Sequence, residues 1–352
     1  MEKNLQASQP PAVRIGSPAA ILAIVPHLLG FTPARSLVVI GAGPPRRRVH
    51  VAFRYDLPDP PDTAMSGEIA EHALAVLTRQ RLTLAIVVGY GPGDLVTPLA
   101  DAVGGELRRA GVELKEMLRV EDGRYWSYLC GDPGCCPAEG VPFDTSDHPA
   151  AAVMAAAGKT VLGDRAALAA TLAPLGGLAA ESMRQATERA EQRAGELIEA
   201  DISLMIGEGL RAVGEAIGTY RGGGRITSDD QIGWLSVAVA DLRVRDDAWA
   251  RMDPEHRVAH SRLWTDVVRR ARIPYVPAPA ALLAFTAWQS GDGALANVAI
   301  ERALDADPGY SMALLLRDVI EAGVPPSAAR LPMTPGEVAA SYARQAKKRR
   351  SA

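Results

Sequence analysis

The chain has 352 residues, of which 48% are hydrophobic and 22% charged, with a formal net charge of −3. That excludes a wholly disordered or collagen-like chain and predicts a globular one of about two to three domains. The small net charge predicts no strong pull toward nucleic acid or an anionic membrane. Aromatic residues make up only 5%, so the core must lean on Ala, Leu and Val. Arg is abundant but interspersed with Asp and Glu, which reads as a solvated mixed-charge surface.

Residues 1–11 read as a flexible lead-in without the apolar run of a secretory signal. Ser17-Pro18 then opens a helix from Ala19 to Leu29, with Ser17 as N-cap and Gly30 as its stop. Ser36–Gly41 is a short apolar run and Val49–Tyr55 alternates, so the two predict a hairpin across Gly43-Pro44-Pro45. An amphipathic helix follows over Met65–Thr78, with Ile69, Ala73, Val76 and Leu77 on one face. Leu82–Gly89 is the strongest strand, apolar throughout and so buried on both faces. A helix over Leu95–Ala110 leads to a strand over Val112–Val120, a βαβ-like crossover. Glu121-Asp122-Gly123-Arg124 reads as a hairpin turn into Tyr125–Leu129.

Beyond Pro149 the pattern becomes helical. Helices are expected over Ala150–Gly158, over Arg165–Leu172, and along a charged stretch from Leu178 to Tyr220 that breaks near Gly207. Ser228 and Gln231 form a capping box for a helix over Asp229–Leu242. Asp253-Pro254 starts another, to about Ala271, and Pro274, Pro277 and Pro279 read as a linker. Gly291-Asp292, Ala296, Ala303 and Pro308 fit a single tetratricopeptide-like helical hairpin; the period does not recur, so a solenoid is not expected. A Pro-rich tail follows, with a short helix near Glu337–Ala346 and a basic end, Lys347 to Arg350. No run approaches the about 18–20 apolar residues of a membrane span; Ala280–Trp288 is far too short.

The fold class is therefore α+β. Residues 12–175 form an α/β domain with a mixed sheet and a Cys-rich loop, 176–325 a helical domain with the tetratricopeptide-like hairpin, and 326–352 a tail.

The densest chemistry lies in Asp122–Pro137, which holds all three cysteines, Cys130, Cys135 and Cys136. A Gly/Pro-rich loop can fold three thiolates around one ion, with zinc the candidate and His148 a possible fourth ligand. The spacing lacks a Cys-x-x-Cys element, so buried thiols and a redox pair stay open beside a metal site. Three cysteines make no disulfide framework, which suits a reducing, cytoplasmic compartment. Arg124, Tyr125 and Trp126 flank the loop. On a strand, Tyr125 and Ser127 share one face and Trp126 and Tyr128 the other, as core or, if exposed, as a binding platform.

A second candidate is the turn of Gly89, Gly91 and Gly93 between the strongest strand and a helix, where open α/β sheets bind ligands. Its spacing is neither a dinucleotide fingerprint nor a Walker loop, and a tight structural turn is the simpler reading. His256 and His260 are one helical turn apart, but Arg257 stands where a metalloprotease has Glu. Asp229-Asp230 and Asp246-Asp247 read as acidic helix starts. No Gly-x-Ser-x-Gly elbow is present.

Four blocks in order carry a resemblance: Ser17–Ile40, Asp122–Pro137, Ala259–Arg270 and Ala281–Leu316. Together they resemble the mostly actinobacterial family catalogued as domain of unknown function 4192, over about Val13–Pro325. The resemblance implies no catalytic residue. It implies that the Cys-rich loop, Trp264 and Trp288 are family features.

The leading expectation is a non-catalytic cytoplasmic binding or scaffolding protein that takes a protein or peptide partner through its helical domain. The alternative is a zinc- or thiol-dependent enzyme or ligand binder using the Cys130–Cys136 loop near the glycine turn. A weaker alternative is nucleic-acid binding through the basic tail.

Overall fold

The computed structural model describes residues 16–44, 48–158, 160–328 and 334–351. The lead-in 1–11, Pro45 of the first hairpin turn and the side chains of Lys347 to Arg350 lie outside the described residues. The chain divides into two compact units, the first ending at Leu168 and the second beginning at Ala169.

The first unit opens with α1 (Pro18–Leu29), where Ser17 Oγ accepts the Ala20 amide and Gly30, at φ 77°, ends the helix. β1 (Ser36–Gly43) and β2 (Arg48–Asp56) form the expected antiparallel hairpin. Next come α2 (Thr63–Arg79), β3 (Leu84–Tyr90), α3 (Gly93–Arg109), β4 (Glu113–Glu121), β5 (Arg124–Ser127), the two-residue β6 (Val141–Pro142) and α4 (Pro149–Ala156). The sheet order is β2-β1-β3-β4-β5-β6. Only β3 and β4 pair in parallel, joined by the α3 crossover, so the sheet is mixed.

Alternation places Leu37, Val39, Ala85, Val87 and Met117 on one face, buried with Ala73 and Leu77 of α2 and Leu99 and Val103 of α3. Val38, Ile40, Ile86 and Val88 point the other way and are buried too, which is why both strands read as unbroken apolar runs. Gly89 sits where α3 approaches closest; a Cβ there would run into Val96. The β4–β5 turn is Asp122-Gly123, both at positive φ (48° and 71°), the two-residue turn that suits strand twist and fixes the hairpin register.

α5 (Arg165–Ala170) spans the division. The second unit contains α6 (Gly177–Arg221), α7 (Asp229–Ala238), α8 (Leu242–Ala250), a 3₁₀ turn at Pro254–His256, α9 (Arg257–Arg270), α10 (Pro277–Gln289), α11 (Gly293–Ala306), α12 (Ser311–Glu321) and α13 (Pro335–Ser351). Its core holds Trp264, Leu263, Val267, Leu235 and nearly all of α10. The tetratricopeptide-like hairpin is α10–α11: Gly291, at φ 74°, turns the chain, Asp292 caps α11, and Ala296 and Ala303 are fully buried at the close contacts.

Four local expectations differ from the structure. The break in α6 falls at Asp201, not Gly207. Asp201 takes an extended backbone, and its carboxylate accepts the Ser203 amide at 2.8 Å, the way an N-cap restarts a helix. The Arg193–Glu208 ion pair, 2.5 Å, shows how sharp the break is. In one straight helix those residues would stand about 22 Å apart along the axis, so the two legs fold back on each other. The helix begun at Asp229 ends at Ala238, because Asp241 caps a new one by accepting the Arg243 and Val244 amides. Asp246 and Asp247 consequently lie inside α8 rather than at a helix start. Pro277 and Pro279 are no linker: they begin α10, where missing N–H groups cost nothing, and are buried.

Candidate functional site

The Cys-rich loop leaves β5 and returns to the sheet edge through β6. Asp132 organises it. Its backbone carbonyl accepts the amides of Cys135 (3.1 Å) and Cys136 (2.7 Å), and its carboxylate accepts the Gly134 amide at 2.9 Å. This tight turn brings both adjacent cysteines back to Cys130. The sulfurs of Cys130, Cys135 and Cys136 all lie within 4.8 Å of one another. None is in a disulfide; Cys135 is exposed and the other two half-buried.

The thiols act on one another. The Asp132 amide hydrogen-bonds the Cys130 sulfur and, with the Cys136 and Cys135 thiols, lowers the Cys130 pKa. Cys136, as donor to Cys130, is pushed up to about 12. Cys130 is thus the stronger acid of the pair and Cys136 the weaker, and the thiolate is the form that binds metal.

His148 does not join the cluster. It caps α4, its Nδ1 accepting the Ala150 amide at 3.1 Å. Among the described residues no His, Asp or Glu completes the group of three sulfurs.

The flanking residues divide between the two faces of the sheet. Tyr125 pairs with Val120, which pairs with Tyr90, and so lies on the face of Val88. Burial raises its phenol pKa, followed by Cys136, Cys135, Glu116 and Cys130; Tyr125 is the aromatic that feels the thiols. Ser127 shares this face and donates to Glu116 at 2.7 Å. Trp126 lies on the α3 face. Its ring stacks against the Arg119 guanidinium, 3.6 Å from the centroid, and its indole N–H donates to the Ala138 carbonyl at 2.9 Å. A Cβ on Gly140, at φ 80°, would stand 2.6 Å from that ring. Tyr128 is on the same face, its hydroxyl 2.7 Å from that of Thr97 on α3. Arg124 braces the loop by donating to the Gly140 carbonyl at 2.8 Å.

The glycine turn belongs to the α3 face as well. Gly89 makes room for Val96. Gly91, at φ 140°, donates its amide to the Val120 carbonyl at 2.9 Å, and Gly93 lies against Arg119. Gly89, Gly91, Gly93 and Trp126 therefore gather around α3, whereas Tyr125 is the flanking aromatic coupled to Cys130, Cys135 and Cys136.

Two participants escape a reading of the sequence, Glu116 and Asp132, and Ser127 is legible there only as sharing the face of Tyr125. The register of the Asp122-Gly123 hairpin places Glu116 and Ser127 on one face, a signal available once the turn type is recognised. Asp132 is an Asx-turn residue, and Asp-Pro-Gly is its signature.

In the helical unit, His256 and His260 both face Asp253. Burial raises the Asp253 carboxyl, but hydrogen bonds from the His256 side chain and amide and from His260, together with Arg221, bring it down to about 2. A cleft of about 360 Å³ lies along the second leg of α6 and α7, with Trp234, Arg211 and Glu215 in its wall. Among the described residues no helix is long and apolar enough to cross a membrane.

No curated protein and no solved structure matches the chain. The model described as "Domain of unknown function (DUF4192)" matches residues 18–327. With most of its length inside that match, from α1 to the turn after α12, the chain belongs to this family.

Proposed function

We propose that the N-terminal unit is a ligand-binding module that holds a soft metal ion through Cys130, Cys135 and Cys136, with zinc among the ions this donor set admits. The observation that carries the reading is the convergence of three sulfurs within 4.8 Å from positions that include two adjacent residues. Tetrahedral zinc with Zn–S near 2.3 Å sets its sulfurs about 3.8 Å apart, inside that limit. Buried structural thiols have no need to converge or to sit exposed on a loop. The fourth position of a zinc ion here is open to water or an external ligand. Titration of the reduced chain with cobalt(II), a spectroscopic stand-in for zinc, tests this. Sulfur-to-cobalt absorption that saturates at one ion per chain and is lost in Cys135→Ser supports the reading; a spectrum unchanged from free cobalt overturns it. Three thiols without a disulfide support a cytoplasmic setting.

A second reading, a scaffold that docks a peptide on the helical unit, is favoured by the mixed-charge cleft beside Trp234. α10 is buried on all sides, so the tetratricopeptide-like hairpin offers that helix to no partner, and the cleft is the better candidate surface. Salt-sensitive binding of a charged peptide that Arg211→Glu abolishes supports it; binding indifferent to that change removes it. Nucleic-acid binding through the basic end of α13 has weaker support. That helix packs on α8, with Tyr342 donating to Asp246 at 2.7 Å. Binding that survives truncation after Arg344 would end that reading.

A further inference from the structure

We propose that the three-sulfur site takes a trivalent thiophilic ion of the arsenic(III) kind in preference to zinc. This rests on the reading of Cys130, Cys135 and Cys136 as an ion site and names the class of ion.

The donor count comes first. Zinc wants four ligands, and the cluster supplies three sulfurs with no His, Asp or Glu among the described residues to complete it. Two acidic groups around the loop have other partners: Asp132 holds the Gly134 amide and Glu116 accepts from Ser127. Trivalent arsenic completes its shell with three sulfurs. Its lone pair covers the fourth direction, for which no His, Asp or Glu stands ready among the described residues.

Charge points the same way. Three thiolates bring three negative charges. Cuprous copper leaves two of them uncompensated, zinc leaves one, and a trivalent ion leaves none. Asp132 lies in the turn that carries the thiols, and Glu116 accepts from Ser127 on the face of Tyr125, so both carboxylates make an additional anion less welcome. A neutral complex suits these surroundings best.

The loop is also preorganised. The Asp132 carbonyl fixes the Cys135 and Cys136 amides, and the three sulfurs already stand within 4.8 Å of one another. Little ordering is left for the ion to impose.

The binding step is a ligand exchange without electron transfer. Arsenous acid, As(OH)₃, meets three thiols. Three As–O bonds break and three As–S bonds form. Each thiol proton leaves with one hydroxide, so three waters are released.

The test is titration of the reduced full-length chain with sodium arsenite, counting the thiols that still react with an aromatic disulfide reagent. The expected result is a fall from three reactive thiols to none at one arsenic per chain. A sulfur-to-arsenic absorption band should rise in step, and arsenite should release zinc from a zinc-loaded sample. Changing any one of the three cysteines to Ser should weaken arsenite binding by at least about tenfold. The wild-type thiol count decides the matter even if a variant fails to fold. Arsenite that leaves a thiol reactive, or that cannot displace zinc, overturns the proposal while a saturating cobalt or zinc titration keeps the ion site. If no ion protects any thiol, both readings fall.

Discussion

The two units use their polar side chains in opposite ways. In the helical unit nearly every charge of note is bound to another part of the scaffold. Arg270, mostly buried, donates to the Ile226 and Thr227 carbonyls and pairs with Asp229. Asp247, buried inside α8, pairs with Arg243 and Arg251. Asp266 receives Tyr220 and Arg225. In the sheet unit the interior is almost purely apolar, and the reactive groups stand outside it on an irregular loop. Buried charges are tied up because leaving one unpaired costs several kcal/mol. A rim loop carries no such penalty, so thiols can be left available there. This contrast is why the chemistry is sought at Cys130–Cys136 and not among the more numerous charged groups of the helices.

The contrast can be broken or sharpened by substitution. Trp264, fully buried at the centre of the helical unit, should cost the most: Trp264→Ala is expected to destabilise that unit by about 4 kcal/mol, measured by denaturant unfolding. Gly89→Ala should cost about 2 kcal/mol, because the new methyl group meets Val96 and forces α3 away from the sheet. If Gly89→Ala melts like the wild type, the close approach of α3 is wrong.

Tyr90→Phe should go the other way. Among the described residues the buried Tyr90 hydroxyl has no hydrogen-bond partner, so its removal is expected to leave stability unchanged or raise it by about 1 kcal/mol. A clear loss would mean that the hydroxyl has a partner in solution.

pH separates the units further. Burial holds the His260 imidazole below its ordinary 6.5, against the pull of Asp253. The unfolded chain therefore binds a proton that the folded one refuses, and stability must fall as pH drops below 6.5. His260→Gln should flatten that slope in pH-dependent melts, and an unaltered slope would put its origin elsewhere. Asp253 has the usual carboxylate sign: its contribution is full above its ordinary 3.8 and is lost as pH falls toward 2. Smallest of all is the effect expected of Cys136→Ser on the ion-free chain, within about 0.5 kcal/mol. A large loss there would turn the thiol from a ligand into a packing group.

Much of the fold was legible because its signals are local. Ser17-Pro18 with Gly30 bounds α1, Asp122-Gly123 sets the β4–β5 hairpin, and the unbroken apolar runs of β1 and β3 announce a sheet covered on both sides. The misplaced helix boundaries share one cause: competing caps. Asp201 and Asp241 each restart a helix where glycine content or periodicity argued for a different boundary, since a capped end is worth about 1 kcal/mol. Pro277 and Pro279 misled because proline looks the same in a linker and in a first helical turn. The site was legible only in its thiols. That three sulfurs converge depends on the Asp132 turn, and that Trp126 and Tyr125 part company depends on the pleat. His148 failed as a ligand because the end of α4 uses its ring nitrogen as a cap.

The chemistry proposed for the sheet unit depends on three thiols forming one ion site. Its most direct test is elemental analysis of the reduced full-length chain, loaded with one equivalent of zinc and desalted, beside the Cys135→Ser, Cys136→Ser double variant. The account predicts about one zinc retained per wild-type chain and none in the variant. Zinc retained equally by both, or by neither, would contradict it.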